Sequence, residues 1–153
     1  IFFFNAAFKT LKILGWSPAV VLGLGCLTFF VPEKKKTNYK HDPTFKNSKV
    51  VYSVYENCFS EKLNADFHKK AIMNHMTADD TKAFEESDCN SLHIGAITHS
   101  DAVVLADEKI DEAVLKFVKD SNKPTLAFNL TENYDSFYSF YEEVASDELV
   151  SLA

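Results

Sequence analysis

The run Gly23-Leu24-Gly25-Cys26-Leu27-Thr28 has more phosphate-binding character than any other segment of the chain. Two glycines one residue apart, after an apolar run and before a helical pattern, let a backbone turn tightly and approach a pyrophosphate, as in the Gly-x-Gly-x-x-Gly fingerprint. Thr28 stands where the third glycine belongs. Glu56, closing the next apolar run, is the acid that would face a ribose, but it lies farther beyond Gly25 than the roughly 20 residues that are usual. Gly23, Gly25, Tyr55 and Glu56 are therefore the candidate ligand-binding residues, with no catalytic residue, metal ligand or cofactor assigned. The simpler expectation for the two glycines is a tight turn and close strand–helix approach.

The other reactive side chains are scattered. Of the five histidines, His41, His68, His75, His93 and His99, no two are four residues apart, and none is read as sitting beside a cysteine at metal-ligand spacing. His93 and His99 fall on one helical segment but face different ways. Ordinary surface or half-buried roles are expected for all five. The three cysteines, Cys26, Cys58 and Cys89, are widely spaced and odd in number. No disulfide framework or zinc motif is expected from them, which makes a reducing cytoplasm the default compartment. Cys26, near a helix start, would be activated if exposed, but without a histidine partner a small buried role is expected. Asp79-Asp80 and Glu85-Glu86 are expected as caps and solvated faces, and Glu33-Lys34-Lys35-Lys36 as a solvated helix end.

Four apolar runs rich in β-branched residues must position these groups: Ala19–Leu22, Val50–Val54, Ala102–Leu105 and Thr125–Phe128. Their nearly continuous apolar character suits parallel strands covered on both faces. Helical patterns lie between them. Asp111 to Asp120 carries Val114, Leu115, Phe117 and Val118 inward. Thr131 is the expected N-cap of a last helix with Tyr134, Phe137, Tyr138, Tyr141 and Val144 at helical spacing. Further helices are expected over about Glu61 to Met73, from Thr77-Ala78-Asp79-Asp80, and from about Ser91 to His99. Asn122-Lys123-Pro124 reads as a tight helix-to-strand connection. Strands alternating with helices imply right-handed crossovers. The expected fold is a single α/β domain over residues 1–153, a Rossmann-like doubly wound parallel sheet in a three-layer α/β/α arrangement with about four strands.

The chain opens at Ile1 on an amphipathic pattern (Phe4, Phe8, Leu11, Leu14) with no start signal, as expected of a segment preceded by at least one more strand. The apolar stretch Ala19 to Val31 is shorter than the roughly 20 residues a spanning helix needs, and Pro18 and Pro32 bracket it, so no membrane insertion is expected. All 16 basic residues are lysines, against 22 acidic ones, for a net charge of −6. That balance argues against nucleic acid as a partner, and without arginine no bidentate guanidinium fork can grip a phosphate.

Several segments, in unbroken order, resemble the glycogen/starch synthase family, specifically the N-terminal domain of its two-domain GT-B architecture in a short bacterial form. They are Ile1–Val21 with Leu14-Gly15-Trp16-Ser17-Pro18, His41-Asp42-Pro43, Lys49 to Tyr55, Ala96–Val103 with Ser100-Asp101-Ala102-Val103, Ser121-Asn122-Lys123-Pro124, and Glu132-Asn133-Tyr134 through Glu143. The resemblance implies the C-terminal portion of a domain from a retaining glucosyltransferase that moves glucose from ADP-glucose to an α-1,4-glucan. A nucleotide sugar and an α-glucan are thus the implied partners. After Trp-x-Pro the family carries Asp, two β-branched residues, His-x-His, Gly or Asp, and Trp. Here Ala19 replaces the Asp, Leu22 and Leu24 replace the histidines, and Cys26 replaces the Trp. The family histidine lies beside the transferred glucosyl group, so the implied activity is not expected of this chain alone. Two alternatives remain open: a non-catalytic glucan- or protein-binding module on the same fold, and a dinucleotide-binding oxidoreductase domain using Gly23 and Gly25.

Overall fold

The computed structural model describes residues 19–24, 30–37, 39–56, 58–72, 77–127 and 134–146. Among them, strands β1 (Val20–Leu24), β2 (Lys49–Val54), β3 (Ala102–Leu105) and β4 (Thr125–Leu126) form one sheet in the order β1-β2-β3-β4. Every neighbouring pair is parallel, with Val21 opposite Val50, Tyr52 opposite Val103, and Val103 opposite Thr125. Each strand overlaps one of the four apolar runs, and β4 stops at Leu126, short of the expected run. The helices are α1 (Phe30–Thr37), α2 (Phe67–Ala71), α3 (Ala78–Thr81), α4 (Cys89–His99), α5 (Glu112–Asp120) and α6 (Tyr134–Ser146), with a 3₁₀ turn at Lys82–Phe84.

The pleat assigns the strand residues to two cores. Tyr52, Val54 and Val103 pack against Ala96 and Ile97 of α4 and Val114 and Val118 of α5. Val51, Ala102 and Val104 pack on the opposite face against Phe140 and Val144 of α6. This gives the three-layer α/β/α arrangement that the continuous apolar strands imply. On the α4 side, Phe30 of α1 meets Phe84 with ring centroids 5.4 Å apart. A Cβ added at Gly95 would overlap the Phe84 ring, so α4 carries glycine where that ring presses on it.

Caps fix the helix starts. Thr77 accepts from the Asp80 N–H, and the Asp80 carboxylate accepts from the Thr77 N–H at 2.7 Å, closing a capping box. Asp88 and Ser91 make the same exchange at α4. Asn122 takes a left-handed φ of 53° just past α5, a conformation asparagine tolerates, and Pro124 then blocks further helix. The segments of the family resemblance act here as scaffold. Asp101 ties β2 to the end of α4 by accepting from the Val50 N–H at 2.7 Å and from the Lys36 ammonium. The Lys123 ammonium donates to the carbonyls of Ile97, Thr98 and Ser100 at 2.6, 2.9 and 2.6 Å, closing the C-terminus of α4.

Three expectations need correction. The helix expected over Glu61 to Met73 is reduced to Phe67–Ala71, because the Asn64 side chain accepts from the Asp66 N–H at 2.9 Å and holds a turn in its first half. The expected solvated run at Glu33-Lys34-Lys35-Lys36 is a helix end, but Glu33, Lys34 and Lys35 are buried. The strand expected to stop at Leu22 continues through Leu24, so Gly23 is a strand residue opposite Tyr52. The opening helical pattern, Cys26 and the Thr131 cap lie outside the described residues. Among the described residues no helix is long and apolar enough to cross a membrane.

Candidate functional site

Beyond the carboxyl ends of β2 and β3 lies a cleft of about 520 Å³, where open parallel sheets place their ligands. Tyr55 and Glu56 enter it as the chain leaves β2. Asp88 and Cys89 come from the amino end of α4, and Lys109 and Asp111 from the β3–α5 connection. The walls are tied together. The Glu56 N–H donates to Asp107 at 3.3 Å, and Asp111 caps α5 by accepting from the Ala113 N–H at 2.8 Å. Glu56, Asp88 and Asp111 against Lys109 leave the cleft acidic. Such a lining repels a pyrophosphate and suits a cation or a neutral, hydroxyl-rich ligand whose O–H groups donate to carboxylates.

The cleft floor joins three groups that the sequence reading kept apart. Cys58 and Cys89 form a disulfide with Cα atoms 5.4 Å apart. His93 lies one helical turn after Cys89 on the same face of α4 and lines the same cleft. One ligand atom each from Cys58, Cys89 and His93 fall within 4.8 Å of one another. His93 is buried, with Nδ1 2.9 Å from the Tyr52 hydroxyl and Nε2 without a hydrogen-bond partner. Burial lowers its pKa to about 4, so the ring is neutral at neutral pH.

These groups overturn three expectations. The cysteines do pair, because the loop after β2 folds back over the amino end of α4, a contact that linear spacing does not reveal. The pairing also removes the cysteine argument for a reducing compartment. His93 is a fully buried residue facing two sulfurs, not a surface or half-buried one. The expectation that no histidine sits at metal-ligand spacing from a cysteine also fails: Cys89 and His93 are four apart on α4, and that spacing was the signal available in the sequence.

Of the sequence-assigned ligand residues, Tyr55 and Glu56 line this cleft and are exposed. Gly23 sits within β1 and Gly25 lies outside the described residues. Leu22 and Leu24, where the resembling family has histidines, stand at the carboxyl end of β1 and are 43 % and 49 % exposed.

A family model described as the starch synthase catalytic domain matches residues 1–121. Among curated proteins, the glycogen synthase of Clostridium perfringens (strain 13 / Type A) is 28% identical over 107 residues, 70% of this chain and 22% of that protein. The chain therefore spans less than a quarter of the length of that relative. No solved structure matches significantly.

Proposed function

The chain belongs to the starch synthase catalytic domain family, and from that premise we infer that it is the glucan-facing part of a glucosyltransferase half, silent in transfer on its own. The activity proposed for the whole protein is movement of glucose from ADP-glucose to an α-1,4-glucan, in the cytoplasm. The observation that carries the reading is the composition of the sheet's carboxyl edge. Its cleft offers Tyr55 as a ring for a sugar face and Glu56, Asp88 and Asp111 as acceptors for sugar hydroxyls. Among the described residues the β1 edge offers Leu22 and Leu24 where transfer chemistry in the family uses imidazoles. An unpaired hydroxyl against an apolar wall costs about 1–3 kcal/mol. Two such losses amount to roughly 30-fold to more than 10⁴-fold in rate. The acidic cleft also disfavours the diphosphate, so the nucleotide sugar is assigned to the other domain of the architecture.

Calorimetric titration of the chain with maltoheptaose and with ADP-glucose tests this assignment. Saturable maltoheptaose binding, weakened at least tenfold by Tyr55→Ala, supports it. Tight ADP-glucose binding with no maltoheptaose signal overturns it.

A second reading, a non-catalytic glucan- or protein-binding module, is favoured by one observation. Leu22, Leu24, Tyr55 and Tyr138 are all exposed by more than a third, with Tyr138 at 65 %. The whole protein decides between the two, since only the first reading gives it transfer activity.

A further inference from the structure

Independently of any glucan chemistry, we propose that Cys58, Cys89 and His93 form a redox-gated site for a zinc-class divalent cation. The disulfide and the site are alternative states of the same two sulfurs. Three observations converge. One ligand atom from each of the three residues already lies within 4.8 Å of the others. Tetrahedral thiolate–imidazole geometry, with Zn–S of about 2.3 Å and Zn–N of about 2.0–2.1 Å, requires sulfurs roughly 3.8 Å apart. Cys58 is exposed whereas Cys89 and His93 are buried on α4, so the Cys58 side is the freer one to part the bonded sulfurs to that distance. The second observation is the imidazole. The Tyr52 hydroxyl engages His93 Nδ1 at 2.9 Å, which fixes the ring as outer-shell partners of metal-bound histidines do. Nε2 is left buried and unpartnered, a polar atom that a cation would satisfy. Third, Glu56, Asp88 and Asp111 line the same cleft and favour a cation over an anion. The cleft leaves room for a water or one of these carboxylates in the fourth position.

The chemistry balances with a dithiol as reductant. The dithiol gives two electrons and two protons, the Cys58–Cys89 S–S bond breaks, two S–H groups form, and the reductant closes its own disulfide. On cation binding both thiols release their protons to solvent, two metal–sulfur bonds form, and the Nε2 lone pair supplies the third bond. Reoxidation by a disulfide-exchange oxidant expels the cation and restores the crosslink.

The test is cobalt(II) titration of the full 153-residue chain, oxidised and after reduction with a phosphine that is then removed, with folding followed by circular dichroism. The expected result is one cobalt per reduced chain, with thiolate charge-transfer bands and the intense d–d bands of a tetrahedral centre, and none on the oxidised chain. Zinc should displace the cobalt. His93→Ala should weaken binding at least tenfold, Cys58→Ser should abolish the thiolate signature of a two-sulfur site, and Cys26→Ser should change nothing. Equal binding by the oxidised chain overturns the proposal. So does a reduced chain that takes up no cobalt, whether it stays folded or unfolds and is not refolded by the cation. Loss of binding in Cys26→Ser with retention in His93→Ala also overturns it.

Discussion

Breaking the Cys58–Cys89 crosslink should destabilise the chain by an amount that follows from the segment it closes. The two cysteines are separated by 31 residues. Closing a loop of that length removes about 12 cal/mol/K from the unfolded ensemble, or about 3.7 kcal/mol at 25 °C. At roughly 2.1 cal/mol/K of unfolding entropy per residue, the 153-residue chain should melt about 11 °C lower without the crosslink. The enclosed segment depends on this closure. Its helices α2 and α3 have five and four residues, too short to persist alone. Beyond the crosslink, Phe67 against Phe30 at 5.9 Å and the buried Phe84 are main anchors of the segment. The assay is thermal denaturation of oxidised chain, reduced chain and Cys58→Ser, all in chelator so that no cation substitutes for the bond. Cys58 is exposed, so serine there removes the crosslink and little else. Reduced wild type and Cys58→Ser should melt together, well below the oxidised chain, and amides of α2 and α3 should exchange earliest. Coincident melts for oxidised and reduced chains would refute the entropic argument and the pairing with it.

Glu33 predicts an unusual pH dependence. It is fully buried with both carboxylate oxygens unpartnered, and burial, reinforced by Asp80, raises its pKa from 4.5 to about 8. Its contribution is complete below pH 4.5 and declines as pH rises to about 8, by at most roughly 5 kcal/mol at 1.36 kcal/mol per pH unit. Urea unfolding at pH 5 and pH 8 should show wild type losing several kcal/mol more than Glu33→Gln, and parallel profiles would contradict this. Lys123→Met strips three carbonyls at the end of α4 of a charged donor and should cost about 2–3 kcal/mol in the same assay. No loss would mean that solvent replaces those bonds. Gly95→Ala gains about 1 kcal/mol of helix propensity but forces the Phe84 ring aside at about 1–3 kcal/mol, so a net loss is expected, recovered in part by Phe84→Leu. An unchanged melting temperature in Gly95→Ala would show that the ring moves freely.

The sheet was legible because β-branched runs without polar alternation leave a parallel, doubly covered strand as the simplest solution, and each of the four runs contains a strand. The start of α3 was legible for a similarly local reason, since Thr77-Ala78-Asp79-Asp80 announces it in sequence. What failed was non-local or depended on burial. Cys58 and Cys89 look unrelated until the loop after β2 folds onto α4. Glu33, Lys34 and Lys35 read as a solvated charge run because a sequence window does not reveal what covers α1. Tyr55 and Glu56 line the cleft because they directly follow the apolar run that forms β2. Gly23 lies within β1 and not at a turn because β1 runs two residues further than its apolar run suggested.

Sedimentation of the purified chain after incubation with radiolabelled ADP-glucose and glycogen separates glucan binding from glucosyl transfer. The expected result is protein in the glycogen pellet and no label incorporated above the protein-free blank. Label in the glycogen, or a chain left wholly in the supernatant, would contradict it.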